Sequence, residues 1–257
     1  MAFRLSDGLR NALAKDSSFA NAIQHGVLVF YTGTQPASAN AAATGTPLVT
    51  YTGASLARTP EVLATGSVVL ATGAAGSVDT VTVNGVNILG AVVPFNATLG
   101  QTATDVAAQI NKTVSTTDYK AAAVGTTITI SANKGSGTVP NGFVVSGTST
   151  TLTMTYGNMA GGVAPVNGLK FALTALGVAN KDPAQAWSGI GLATGTAGWF
   201  RFYSSVADSG ALDAVGAFIR ADGAIAASGA EINSPQTTIT LGVVSYINDF
   251  PVSILTN

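Results

Sequence analysis

The apolar runs of this chain are short. The most concentrated of them, Val27-Leu-Val-Phe-Tyr31, holds five residues and is closed by Thr32-Gly33. A buried strand needs roughly four to eight such residues, whereas a membrane-spanning helix needs about 20 in succession. Comparable runs rich in Val, Ile and Thr recur toward the C-terminus, punctuated by Gly, Asn, Ser and Pro. That rhythm restricts the chain to a mainly β architecture. A mean hydropathy of +0.40 reflects many scattered small residues. No stretch suits a lipid bilayer, so no membrane partner is expected. Residues 1–10 interrupt their apolar content with Arg4, Asp7 and Arg10 and lack the unbroken apolar core of a signal peptide. Synthesis without export is the expectation.

Residues 1–25 read as helical. Leu5, Leu9 and Leu13 recur at four-residue spacing and form one narrow apolar stripe. Asp16 or Ser17 would cap a second short helix with Phe19 and Ile23 on one face, His25 in its last turn and Gly26 closing it. Strands follow at 26–31 and 47–52, around a loop of small residues. From Glu61 the texture changes to strands at 67–70, 80–84 and 86–89, with Asn84-Gly85 as a hairpin signal. A helix capped by Thr102, with Asp105 as capping-box partner and Val106, Ala107 and Ile110 on its apolar face, comes next. Strands at 119–124, 126–131, 143–146 and 152–156 lead to a linker at Gly161-Gly162.

Beyond it, strands are expected at 167–173 and 198–203, with a short turn or helix after Asp182-Pro183. Alternation places Trp199, Arg201 and Tyr203 on one strand face and Phe200 and Phe202 on the other. Asp222-Gly223 reads as a turn, and closing strands are expected at 237–244 and 246–254. The predicted fold is a β-sandwich-like host domain with N-terminal helices, made from residues 1–60 and 164–257. A small α+β module, 61–163, interrupts it at a loop, where insertions are tolerated. The two flanking pieces are each small for an independent core.

Charge narrows the function classes. Only 11 Lys and Arg and 12 Asp and Glu occur in 257 residues, 9% of the chain, against about 25% in ordinary soluble domains. A surface so poor in charge suits a subunit covered by its neighbours; a monomer solvated by Thr, Ser and Asn is the alternative. A net charge of -1 offers no footprint for nucleic acid. The absence of cysteine excludes disulfides, thiolate metal sites and a cysteine nucleophile. The single histidine, His25, reads as a helix terminus and not as the centre of a catalytic triad. No Gly-Lys pair supplies a phosphate loop, and Gly189-Ile-Gly-Leu-Ala-Thr-Gly195 misses the dinucleotide spacing by one residue. Asp79, Asp105, Asp118, Asp182, Asp208, Asp213 and Asp222 are scattered. The segment from Asp208 to Asp213 lacks the acid ladder of a calcium loop and reads as a loop with solvated carboxylates. No catalytic, cofactor or metal residue is assigned. Trp187, Trp199, Tyr203 and Tyr246 would make a saccharide platform if exposed, and core or subunit contacts otherwise.

Four stretches carry a resemblance. These are Phe3-Arg-Leu-Ser-Asp-Gly-Leu-Arg-Asn-Ala-Leu13, residues 29–45, Gly195-Thr-Ala-Gly-Trp-Phe-Arg-Phe-Tyr203 and residues 220–233. Together they resemble structural proteins of tailed-bacteriophage particles, and residues 77–163 are similar to a mobile module of phage virion proteins. The resemblance implies a particle component and no reaction, and it leaves head decoration, connector and tail accessory open; the expectation is a non-enzymatic subunit on the particle exterior, assembled in the bacterial cytoplasm. It would be a tail or connector accessory contacting copies of itself and other virion proteins, with no cofactor. Capsid decoration or glycan-binding host recognition are the alternatives. Its candidate interface residues are Leu5, Leu9, Leu13, Trp199, Arg201 and Tyr203, with the inserted module projecting outward.

Overall fold

The computed structural model describes residues 3–15, 18–113, 119–173, 178–229, 231–233, 237–250 and 252–253. The fold is mainly β. The chain divides into two compact units, 1–61 with 165–257 and 62–164, each junction falling one residue beyond the sequence-based one.

The host unit begins with a short strand, β1 (Arg4–Leu5), then helices α1 (Asp7–Lys15) and α2 (Phe19–Ile23), and strands β2 (Val27–Tyr31) and β3 (Pro47–Gly53). The inserted unit contains β4 (Thr65–Thr72), β5 (Ser77–Val83), β6 (Val86–Asn87), β7 (Val93–Pro94), helix α3 (Leu99–Lys112), β8 (Lys120–Val124), β9 (Thr127–Ser131), β10 (Val145–Thr150) and β11 (Thr153–Ala160). The chain then returns through β12 (Phe171–Leu173), β13 (Val178–Lys181), β14 (Trp187–Ile190), β15 (Gly195–Thr196), β16 (Trp199–Tyr203) and β17 (Arg220–Ala226). It closes with β18 (Ile232–Asn233), β19 (Thr238–Ile239), β20 (Val244–Ile247) and β21 (Val252–Ser253).

An eight-stranded sheet organises the host unit, in the order β1-β17-β16-β2-β3-β14-β20, with β18 parallel to β17. Its inner face buries Leu28, Phe30, Tyr51, Trp187, Phe200 and Phe202. Phe171 meets the Trp187 ring edge-on at 5.0 Å, and Phe30 meets Tyr51 at 4.8 Å, contacts worth roughly 0.5–1.5 kcal/mol each beyond area burial. Helix α1 is tied down at its start by Ser6. This buried hydroxyl accepts from the Leu9 amide at 3.1 Å and donates to the Phe218 carbonyl at 2.8 Å. Ser18 caps α2 by accepting from the Asn21 amide; Asp16 and Ser17, the expected caps, lie outside the described residues.

The inserted unit carries two four-stranded sheets, β10-β5-β6 with β7 beside β5, and β11-β4-β9-β8, with α3 packed against the second. Val68, Val81, Val106, Ile110, Ile128 and Ile130 fill its core. Asn84 and Gly85 both have positive φ, 51° and 79°, as a tight hairpin between β5 and β6 requires.

Three local expectations are corrected. Leu5 sits on a strand paired with Ala221, so the helical stripe begins at Leu9. Helix α3 is capped by Thr98, whose hydroxyl accepts from the Gln101 amide at 3.1 Å. The extra turn brings Leu99 onto the module core. Thr102 is then fully buried, donating to the Thr98 carbonyl, and Asp105 accepts from Asn96 and Gln101. Of the turn or helix expected after Asp182-Pro183, the turn is present and leads into β14. Asp222-Gly223 lies in the middle of β17. A Cβ at Gly223 would stand 2.5 Å from the Phe200 ring, so this glycine makes room for an aromatic neighbour instead of turning the chain.

Candidate functional site

The outer face of the host sheet carries three rows, set by strand register. Tyr31, Trp199 and Ala224 form one; Val29, Arg201, Asp222 and Arg4 the second; Val27, Tyr203 and Arg220 the third. Period-two alternation on β2 and β16 sends these side chains outward while Leu28, Phe30, Phe200 and Phe202 point to the core.

Opposite charges meet in this layer. Arg201 donates from Nε and Nη2 to the two Asp222 carboxylate oxygens, both at 2.7 Å, and from Nη1 to the Ala41 carbonyl at 2.9 Å. Arg220 grips Asp208 in the same bidentate manner, at 2.7 and 2.6 Å. The Arg201 and Asp222 side chains are 0% exposed. Tyr31 and Tyr203 share a hydroxyl hydrogen bond of 2.8 Å. The Tyr31 ring stacks on Trp199 at 4.4 Å, and the Arg201 guanidinium lies 5.4 Å from the Trp199 centroid.

Two loops, 32–46 and 206–219, close over the layer. Ala43 donates its amide to the Gly210 carbonyl, and Asp213 donates its amide to the Asn40 carbonyl, both at 2.8 Å. The Asp213 carboxylate accepts from the Ala217 and Phe218 amides at 3.0 and 2.8 Å. Asn40 also donates to Asp7 of α1 at 2.5 Å. Each loop is therefore pinned both to the other and to the sheet.

Burial governs the titration of these groups. It raises Asp222 against the pull of Arg201, Arg220 and Arg4. It also pushes both tyrosines above their ordinary value, Tyr31 far above, with the Tyr203 hydroxyl adding to the effect. For Arg201 burial opposes the charge, but the bonds to Asp222 outweigh it and hold the guanidinium protonated. The result is a dry layer of fixed ion pairs and neutral phenols. Desolvation roughly offsets the Coulombic gain of such pairs, so their main effect is to fix geometry.

The same sheet face looks different at its other end. Along β14 and β20, Ile190 pairs with Val244 and Ser188 with Tyr246. Ser245 and Ile247 turn inward, Ser245 sharing a 2.8 Å hydrogen bond with Tyr51. Ile190, Val244 and Tyr246 turn outward and stand 49%, 41% and 62% exposed. Leu192, Leu241 and Val243, at the adjoining turn, are exposed as well.

The sequence-based candidates are redistributed accordingly. Leu9 is fully buried in the host core, and Leu5 and Leu13 pack half-buried against it. Trp199, Arg201 and Tyr203 face their own unit's loops, so the expected interface is an internal surface. Trp187 lies on the opposite, inner face, and of the four aromatic residues weighed as a saccharide platform only Tyr246 is exposed. Asp208 and Asp213 are buried and hydrogen-bonded instead of solvated. Asp118 lies outside the described residues. His25 follows α2 with φ 59°; burial and the Lys170 charge lower its pKa. Among the described residues no group of three or more His, Asp or Glu side chains could hold a metal ion, and no helix is long and apolar enough to cross a membrane. Sequence reasoning passed over Tyr31 and Arg220, and read Asp208 as a solvated loop acid and Asp222 as a turn residue. The available signal was Asp222 itself, an acid in a run of small residues with the alternation of a strand. No protein-family model, curated protein or solved structure matches this chain.

Proposed function

We propose that this protein is a non-enzymatic structural subunit on the exterior of a tailed-bacteriophage particle, a tail or connector accessory that works by contact with neighbouring subunits. One observation carries the reading. In a chain with 9% charged residues, the apolar side chains Ile190, Leu192, Leu241, Val243, Val244 and Tyr246 gather on one edge of the host sheet. Exposed apolar surface costs free energy in water, about 25 cal/mol per Å², and a contiguous patch marks a contact site. A particle supplies neighbours at high local concentration, which stabilises the bound form by mass action. The resemblance of the N-terminal and 195–203 stretches to phage virion proteins points the same way.

The buried Arg–Asp–Tyr layer fits this role. It holds the loops of one half of the sheet rigidly, so the other half presents a preformed surface at little ordering cost. Mass spectrometry of gradient-purified particles from a producing culture tests the proposal. The chain is expected in fixed stoichiometry with the other structural proteins, and its density should sit at the tail or connector. Its absence from purified particles would overturn the proposal.

A further inference from the structure

The exposed edge of the host sheet has a feature that selects its partner. Among the described residues β20 pairs with β14 and with no other strand, so its far side is open. Natural edge strands are usually blunted by charge, proline or a bulge. The opposite edge conforms: β1 has two residues and carries Arg4, which donates to the Pro36 carbonyl. Residues 240–247 contain no charged residue and no proline.

The direction of the open hydrogen-bonding groups follows from the ladder. Gly191 donates its amide to the Val243 carbonyl at 2.9 Å, and Leu192 donates to Leu48 on the other side at 2.7 Å. Antiparallel alternation then turns Val243, Ser245 and Ile247 toward β14, leaving the N–H and C=O of Val244 and Tyr246 pointing outward.

We infer that β20 pairs antiparallel with β20 of a second copy of this chain, about a twofold axis through Ser245. The strand is its own complement in this register, and a shift by one residue removes the match. Val244 of each chain stands opposite Tyr246 of the other, and their outward amides and carbonyls exchange four hydrogen bonds. On the exposed face this makes two β-branched–aromatic pairs, a favourable cross-strand combination. On the inner side the two Ser245 residues meet, with Val243 opposite Ile247. A shift by one residue would place Val244 opposite Ser245, on the other face, and lose both pairs. With no charge on the edge, two identical copies meet without repulsion, and a twofold contact is the commonest closed assembly. This inference names the partner of the same surface that carries the proposed function.

A single introduced cysteine tests the register without ambiguity, because the chain has none of its own. Sedimentation of the full chain at about 50 μM, where even a micromolar dimer is populated, should give twice the 25.5 kDa mass. Added salt should leave that mass unchanged, since no exposed ion pair is involved. Ser245→Cys should form an interchain disulfide under mild oxidation, the facing Cα atoms lying about 4.5 Å apart. Val244→Cys should not, because its copies are offset by two residues, about 7 Å along the strand. Tyr246→Lys, at an exposed position, should leave the circular dichroism unchanged and return the chain to monomer. A monomeric wild-type chain overturns the inference. So does a dimer that survives Tyr246→Lys, or one that crosslinks through Val244→Cys and not Ser245→Cys. A monomer found in particles breaks this inference alone, whereas a dimer absent from particles breaks the proposed role alone.

Discussion

One face of one sheet ends in two different ways. Over β17, β16 and β2 it carries Arg201, Arg220, Asp222, Tyr31 and Tyr203, all buried beneath loops 32–46 and 206–219. Over β14 and β20 it carries Ile190, Val244 and Tyr246, all exposed. Charged side chains are buried on one half, among Trp199, Val27 and Val29, and large apolar ones are exposed on the other, against the usual partition. The covered half tolerates charge because each charge has a geometrically matched partner. The bare half is apolar because water is not its working environment in the role proposed here. The difference teaches that burial on this face follows where the loops reach, not the polarity of the residues.

The largest expected effect lies in the covered half. Asp222→Ala leaves the Arg201 guanidinium buried without its carboxylate and should cost about 3–5 kcal/mol in chemical denaturation. The double change Arg201→Met with Asp222→Leu should recover most of that loss; a double variant as weak as the single one would show that the pair does more than fill space. Gly223→Ala, which drives a methyl against the Phe200 ring 2.5 Å away, should cost about 1–3 kcal/mol. Tyr203→Phe removes the 2.8 Å hydroxyl bond to Tyr31 and should cost about 1 kcal/mol, read from the shift in denaturation midpoint.

Acid sharpens the same contrast. Burial works to raise Asp213, but hydrogen bonds from the Phe218 and Ala217 amides prevail and hold it below its ordinary value. A carboxylate lowered in the folded state contributes stability above its unfolded pKa of about 4 and loses it as pH falls through the folded value. Melting temperature should therefore drop below about pH 4, and Asp213→Asn should shallow that drop. The smallest effect belongs to the bare half: at dilutions where the wild-type chain is itself monomeric, Tyr246→Lys should change stability by no more than about 0.5 kcal/mol.

Much of the scaffold was legible in the residues. The strands at 26–31 and 198–203, the hairpin at Asn84-Gly85 and the division of 199–203 into two faces all follow from local pattern. Asp222-Gly223 defeated that reading because a turn and a crowded strand both favour glycine, and only the Phe200 ring separates them. Leu5 defeated it because pairing with Ala221, more than 200 residues away, overrides a helical spacing. Thr98 and Thr102 are equally good caps in isolation; the burial of Leu99 against the module core decided between them. Alternation put Arg201 with Trp199 and Tyr203 on one strand face, but what covers that face was invisible, since Ala41 and Asp222 reach Arg201 from opposite sides in sequence.

The chain's composition and local patterning alone determined a mainly β protein with short strands, tight glycine turns and little charge, because side-chain alternation and turn geometry are properties of a few consecutive residues. Which outward face is sealed and which is left open was decided only by the tertiary structure. Loops from distant parts of the chain cover one half of a sheet and stop short of the other, and no local pattern encodes where a remote loop will come to rest.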